Sequence, residues 1–398
     1  MAERNLDFDK VNNRKDTNFL KYDFAIERGM PQDVLPLWVA DMDFQTSSYI
    51  QDALIEEVNH GIFGYSEVKK PYFDSVAGWM KRHYDWDIRE EWLVKTPGIV
   101  FALAMAVNAY TKPEDSILIN LPVYYPFREV IEDNNRKLVS SDLYKGEDNR
   151  YHIDYEDFEK KIVEEDVKMF FLCNPHNPVG RVWTREELET IGDICLKHNV
   201  IVVSEEIHAD FVFKGRHQVF ANIKEEYKDI TITCTSPSKT FNLAGLQISN
   251  LFIPNENLRK TFKKQLDRAG YSQLGVFGLV ACKAAYDNGE EWYKAMKEYV
   301  WNNIQFAKEY IDKNLPGVTM TDHEGTYLIW LDFNGTGLTP AEVEDLIVKK
   351  AKLWLDSGRI FGKTGYGYQR INTACTRQVL TEALDRIRDA LNKTINGI

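Results

Sequence analysis

The stretch with the clearest capacity for chemistry is Ser236-Pro237-Ser238-Lys239-Thr240, which follows the β-branched run Ile230-Thr231-Ile232-Thr233 and leads into Ala244-Gly245. A lysine at the end of a buried strand loses solvation for its ammonium. That loss lowers its pKa and favours the neutral amine that attacks carbonyl carbons, so Schiff-base chemistry is the natural expectation for Lys239. Taken alone, the stretch is equally compatible with one more solvated cation among the 49 lysines and arginines.

Other reactive types stand in short polar clusters after apolar runs. Ser204-Glu205-Glu206-Ile207-His208 follows Val200-Ile201-Val202-Val203, and Asn174-Pro175-His176-Asn177 follows Met169-Phe170-Phe171-Leu172-Cys173. Successive strand residues face opposite sides of a sheet, so only one of Glu205 and Glu206 easily reaches a given ligand. Arg370 lies in the short strand pattern Gln369 to Asn372. A lone histidine such as His208, or an aromatic such as Tyr124 or Tyr65, is also read as ordinary packing on local sequence.

These clusters need elements that bring them together. Continuous apolar runs at residues 116–119, 137–139, 169–173, 200–204 and 230–233 alternate with helical patterns. Such alternation predicts a parallel sheet covered on both faces, whose ligands sit beyond the carboxyl ends of the strands. The three clusters fall at those ends. Helices are read over Ser48 to about His60 with Gly61 as its stop, and over Asp154 to Glu165. Another runs from a Thr184/Glu187 capping box to about His198, followed by Leu258 to Arg268 and Glu290 to Lys313. A smaller α+β unit follows: strand Thr326 to Leu331, helix Pro340 to Lys352, strand Gln369 to Asn372 and helix Arg377 to Leu391. The segment Trp38 to Phe44 reads as extended chain laid along a cleft.

Composition bounds the alternatives. The chain has 398 residues with 44% hydrophobic and 28% charged residues, the proportions of a soluble protein of two domains. A net charge of −12 without a basic tract argues against nucleic acid as a partner. Five widely spaced cysteines suit reduced thiols in a cytoplasm, and the eight histidines lack metal-ligand spacing. No apolar run approaches a membrane span, and a cytoplasmic location is expected.

Together, Trp38 to Phe44, Pro122-Val123-Tyr124-Tyr125-Pro126-Phe127, Cys173 to Gly180, Ser204 to His208, the lysine stretch and Arg370 to Cys375 resemble the fold-type I pyridoxal-phosphate enzymes. Within the aminotransferase superfamily they resemble the MalY/PatB group of cystathionine β-lyases, or C–S lyases. The resemblance implies an α/β fold: a large domain at 46–285 with a mostly parallel seven-stranded sheet, and a smaller α+β domain from 1–45 and 286–398. It gives Lys239 the Schiff base and the movement of the Cα proton, and Glu205 the pyridine nitrogen, where the family has aspartate. Asn174 and His208 would bond the ring's phenolic oxygen, and Tyr124 would stack on the ring. The backbone of Ile99 and Val100, Ser236, Ser238 and a Tyr65 from a second subunit would hold the phosphate, which implies a homodimer. Arg370, with Ala40 and Asn174, would bind the substrate carboxylate; no second arginine is obvious for a distal one. Gln247, where many aminotransferases have arginine, fits the lyase group. The expected activity is carbon–sulfur β-elimination on L-cystathionine or a cysteine S-conjugate. The alternatives are an aminotransferase and a non-catalytic, cofactor-binding regulatory protein.

Overall fold

The computed structural model describes residues 2–396. In chain order the principal elements are α1 (Ser48–His60), α2 (Lys70–Tyr84), β1 (Leu93–Thr96), α3 (Ile99–Tyr110), β2 (Ser116–Ile119), α4 (Pro126–Asp133), β3 (Lys137–Ser140) and α5 (Tyr155–Glu164). Then come β4 (Val167–Cys173), α6 (Arg185–Lys197), β5 (Ile201–Glu205), β6 (Thr231–Thr235), β7 (Ser249–Phe252), α7 (Glu256–Arg268), α8 (Val276–Asn288) and α9 (Glu290–Asn314). The chain finishes with β8 (Thr319–Met320), β9 (Leu328–Asp332), α10 (Pro340–Asp345), β10 (Asp356–Ser357), β11 (Tyr368–Asn372) and α11 (Arg377–Asn396).

Seven strands form one sheet in the order β1-β7-β6-β5-β4-β2-β3. Only β7 runs against its neighbours β6 and β1. The parallel strands are buried on both faces, which is why β6 (Thr-Ile-Thr-Cys-Thr) is buried along its whole length and carries no polar stripe of charged residues. The expected α/β architecture is therefore present. A second sheet, β8-β9-β11-β10, is antiparallel throughout.

Local chemistry explains several boundaries. Gly61 closes α1 with φ 72°, and Thr184 and Glu187 form the capping box of α6. The strand expected from Thr326 starts instead at Leu328, because Thr326 takes φ 71° and cannot lie in a ladder. The helix expected to reach Lys352 is α-helical only to Asp345 and continues as a wider turn over Leu346–Lys350. Helix α8 is apolar nearly all round, so no periodic stripe marks it in the sequence.

The amino-terminal segment is tied down far from its sequence neighbours. Leu35–Pro36 pairs in parallel with Leu353–Trp354. Arg14 bonds Asp41 at 2.5 Å and Asp43 at 2.7 Å, and the fully buried Lys21 bonds Asp43 at 2.9 Å. Removing one member of such a buried cluster leaves an uncompensated charge. No helix among the described residues is long and apolar enough to cross a membrane.

Candidate active site

A cavity of ≈ 320 Å³ opens at the carboxyl ends of β4, β5 and β6, between that edge of the sheet, the amino-terminal segment and β11. Its floor is set by the turn after β6. Ser236 caps the one-turn helix Pro237–Thr240: its Oγ accepts from the Ser238 N–H at 3.0 Å and donates to the Ile248 carbonyl at 2.6 Å. On the far side of the turn, Thr240 donates to the buried Asp210, which also accepts from Tyr84 and from Trp79 Nε1 at 3.2 Å. The turn is thus clamped, and Lys239 projects the other way, into the cavity.

Lys239 Nζ donates to the Ala40 carbonyl at 2.6 Å, and the same oxygen accepts from the Tyr327 hydroxyl at 2.8 Å. Burial pulls the Lys239 ammonium down to about 8, with Asp41 opposing and Arg370 adding to the shift. Lys239 is half-buried and opens onto this cavity, and its ammonium is bonded within it.

Glu205, the last residue of β5, lines the cavity. Burial pushes its carboxyl up to about 7, against bonds from the Cys173 thiol at 3.2 Å and the Ile207 N–H at 3.0 Å. Glu206 faces away, held by Ser204 Oγ, the Phe220 N–H and His217 Nε2 at 2.8, 3.1 and 2.8 Å. The alternation of the strand therefore resolves the pair in favour of Glu205. His208 also lines the cavity; burial, Lys239 and Arg370 all lower its pKa, so the ring is neutral. Its Nδ1 finds no hydrogen-bond partner among the described residues.

Asn174 is a correction. Its backbone N–H still bonds the Glu205 carbonyl at 2.9 Å, and its side-chain Nδ2 donates to the Gln218 carbonyl at 3.1 Å, outside the cavity lining. The turn closed by the Gly180 N–H on the His176 carbonyl brings Asn177 over the cavity instead, where its Oδ1 accepts from Arg370 Nη1 at 3.0 Å. The turn thus places Asn177, three residues on, rather than Asn174, in the cavity lining.

On the wall opposite Lys239, Tyr124 lines the cavity and its N–H bonds the Asn177 carbonyl at 3.0 Å. Ile99 and Val100 line it at the start of α3, where the first N–H groups have no intrahelical partner, and Ser238 and Gln247 share that end. Tyr65 does not reach the cavity: it lies 98% exposed in the loop after α1.

Arg370 sits in the middle of β11, buried, with Nη2 donating to the Trp38 carbonyl at 2.9 Å and to Asp356. Asp356 lies directly opposite it in the β10/β11 ladder, so the ion pair follows from register. The Arg370 Nε has no partner among the described residues. Sequence reasoning missed Asn177, Asp356, Trp38 and Leu20 in the lining and Tyr327 on the Ala40 carbonyl; a tight turn, the ladder register and the long-range path of the amino-terminal segment place them. All five cysteines are buried and free, and no group of three metal-ligating side chains occurs among the described residues.

The model of the class I and II aminotransferases matches residues 32–387. The chain is 41% identical over 388 residues to cystathionine beta-lyase PatB of Bacillus subtilis (strain 168), covering 97% of this chain and 100% of the relative. Cystalysin of Treponema denticola, whose crystal structure contains pyridoxal 5'-phosphate, superposes with a TM-score of 0.94 at 36% identity, over 98% of this chain and 99% of that one. A pyridoxal-phosphate-bound structure from Clostridium difficile 630, provisionally named an aminotransferase, superposes equally well (TM-score 0.94) at 44% identity, over 97% and 100%. The chain belongs to the class I and II aminotransferase family, in its MalY/PatB cystathionine β-lyase group.

Proposed function

We propose that the protein is a pyridoxal-phosphate-dependent carbon–sulfur β-lyase that cleaves L-cystathionine or a related cysteine S-conjugate to a thiol, pyruvate and ammonia. The observation that carries this reading is one cavity holding a lysine pulled down to about 8, a buried glutamate and a buried arginine. The donor set fits the cofactor. His208 Nδ1 and Arg370 Nε are buried polar atoms in want of partners, and the open start of α3 beside Ser238 suits a phosphate.

Pyridoxal phosphate, when bound, is joined to a lysine as a Schiff base and supplies a sink for the electron pair left by the departing Cα proton. Lys239 would be that lysine, and its amine is placed to accept the Cα proton. Glu205 would hold the ring nitrogen protonated by its opposite charge. His208, with Asn177 taking the role first expected of Asn174, would bond the phenolic oxygen, and Tyr124 would pack against the ring. The backbone N–H groups of Ile99 and Val100, with Ser236 and Ser238, would hold the phosphate. The Arg370 fork binds the substrate carboxylate with the backbone at Ala40. With the cofactor bound, loss of the Cα proton would let the carbon–sulfur bond break with its electron pair on sulfur, and water would complete the release of pyruvate and ammonia.

The protein acts as a homodimer in which Tyr65 reaches the partner's phosphate. Its support is the exposed apolar run Ile62, Phe63 and Tyr65, at 69%, 58% and 98% exposure. Transamination is the second reading, favoured by the provisional name of the Clostridium difficile relative. Pyruvate release from L-cystathionine by cofactor-loaded protein, with no keto acid present, separates the two. The lyase gives pyruvate, whereas an aminotransferase needs the acceptor.

A further inference from the structure

A second cleft of ≈ 320 Å³ backs onto the active cavity and shares Trp38, Tyr125 and Asp356 with it. Resting on the lyase reading, we propose that this cleft is the subsite for the distal amino-acid end of a thioether built from two amino acids, such as L-cystathionine, with Arg28 receiving its carboxylate and Glu129 its ammonium.

Charge accounting within the cleft supports this. Its five charged groups are Arg28, Arg128, Glu129, Glu344 and Asp356. Asp356 is taken by Arg370; Glu344 accepts from Ser357 Oγ at 2.5 Å and Gln369 Nε2 at 2.9 Å; Arg128 lies 3.8 Å from Glu132. Arg28 and Glu129 make no ion pair among the described residues. Arg28 and Glu129 are exposed side chains, and a cation and an anion without ion-pair partners among the described residues in a single cleft are the complement of a zwitterion.

Arg28 is also held in place. Its N–H bonds the Ala25 carbonyl at 3.2 Å, and the turn is locked by Met30 N–H on the Ala25 carbonyl at 2.8 Å. Its guanidinium carbon lies 5.1 Å from the centre of the Trp38 indole, which is itself stacked on Trp354 at 4.2 Å. Trp38 thereby links both arginines: Arg370 bonds its backbone carbonyl, and Arg28 rests on its ring. Tyr125 lines both the cavity and the cleft, and its phenol feels the charges of Asp356, Arg370, Glu129 and Arg28.

The test is the ratio of kcat/KM for L-cystathionine to that for S-ethyl-L-cysteine, which lacks the distal end, in wild type, Arg28→Ala and Arg28→Lys. The expected result is a fall in that ratio of about tenfold for Arg28→Ala, carried by the KM for L-cystathionine and partly restored by Arg28→Lys. An unchanged ratio, or an equal loss on both substrates, overturns the subsite and leaves the lyase standing. A wild type that cleaves only S-ethyl-L-cysteine also overturns the subsite. No pyruvate from either substrate overturns the lyase reading and the subsite with it.

Discussion

The two walls of the active cavity are held by different means. On the sheet side, Glu205, Ser236, Ser238 and Lys239 each stand at or within four residues of a strand end, and their backbones are fixed by ladder bonds and a local cap. On the other side, Leu20, Trp38 and Ala40 belong to a segment with almost no regular structure. Long-range bonds hold it: Asn372 Nδ2 to the Val39 and Asp41 carbonyls at 2.7 and 2.6 Å, Arg370 to Trp38, and Arg14 and Lys21 to the two aspartates. Direct hydrogen bonds between the walls are made by Lys239 on Ala40 and by Arg370 on Asn177. Reactive groups thus ride on the rigid sheet, whereas Ala40 and Trp38 ride on a segment secured by charge and side-chain amides, which Arg370 ties to β11.

The largest effect should come from breaking the second wall at Arg370. Arg370→Ala leaves Asp356 buried without its partner, a loss of about 3–5 kcal/mol, and removes the substrate fork. Thermal melting should fall, and kcat/KM should fall further than melting accounts for. Arg370→Lys keeps the charge but not the planar fork, so it should recover stability better than KM.

The first wall is probed by pH. In cofactor-free protein Glu205 titrates at about 7 rather than its ordinary 4.5, so the folded chain binds a proton that the unfolded chain releases across that window. Its contribution is fully present below about pH 4.5 and is lost as pH rises through 7, a change of at most a few kcal/mol. The melting temperature of Glu205→Gln relative to wild type should therefore rise between those limits. A difference that stays flat would show that Glu205 is already ionised at the lower limit.

The smallest effect concerns the bridge. Tyr327→Phe removes one donor from the Ala40 carbonyl, worth about 1 kcal/mol in stability. If that bond orients the oxygen for Lys239, kcat should drop with KM little changed, and the primary isotope effect from Cα-deuterated substrate should grow. An unaltered isotope effect would reduce Tyr327 to packing.

The same contrast explains what could be read from the sequence. Apolar strands ending in polar clusters locate Lys239 and Glu205, because strand geometry is local and its ends face one edge of the sheet. The choice between Asn174 and Asn177 could not be read that way, since a tight turn decides which amide faces the cavity. Asp356 is silent in sequence because its role comes from standing opposite Arg370 in a ladder. Arg28 looks like any solvated arginine until the indole of Trp38 is seen beneath it. Helix α2, read as no element at all, carries Trp79 and Tyr84, which clamp Asp210 behind the lysine turn.

The central claim is that Lys239 carries the cofactor. Borohydride reduction of pyridoxal-phosphate-loaded protein, followed by peptide mapping, tests it directly. The account predicts a single pyridoxyl group on the peptide containing Lys239 and none in Lys239→Ala. A pyridoxyl group on another lysine in the wild type, or none at all, would contradict it.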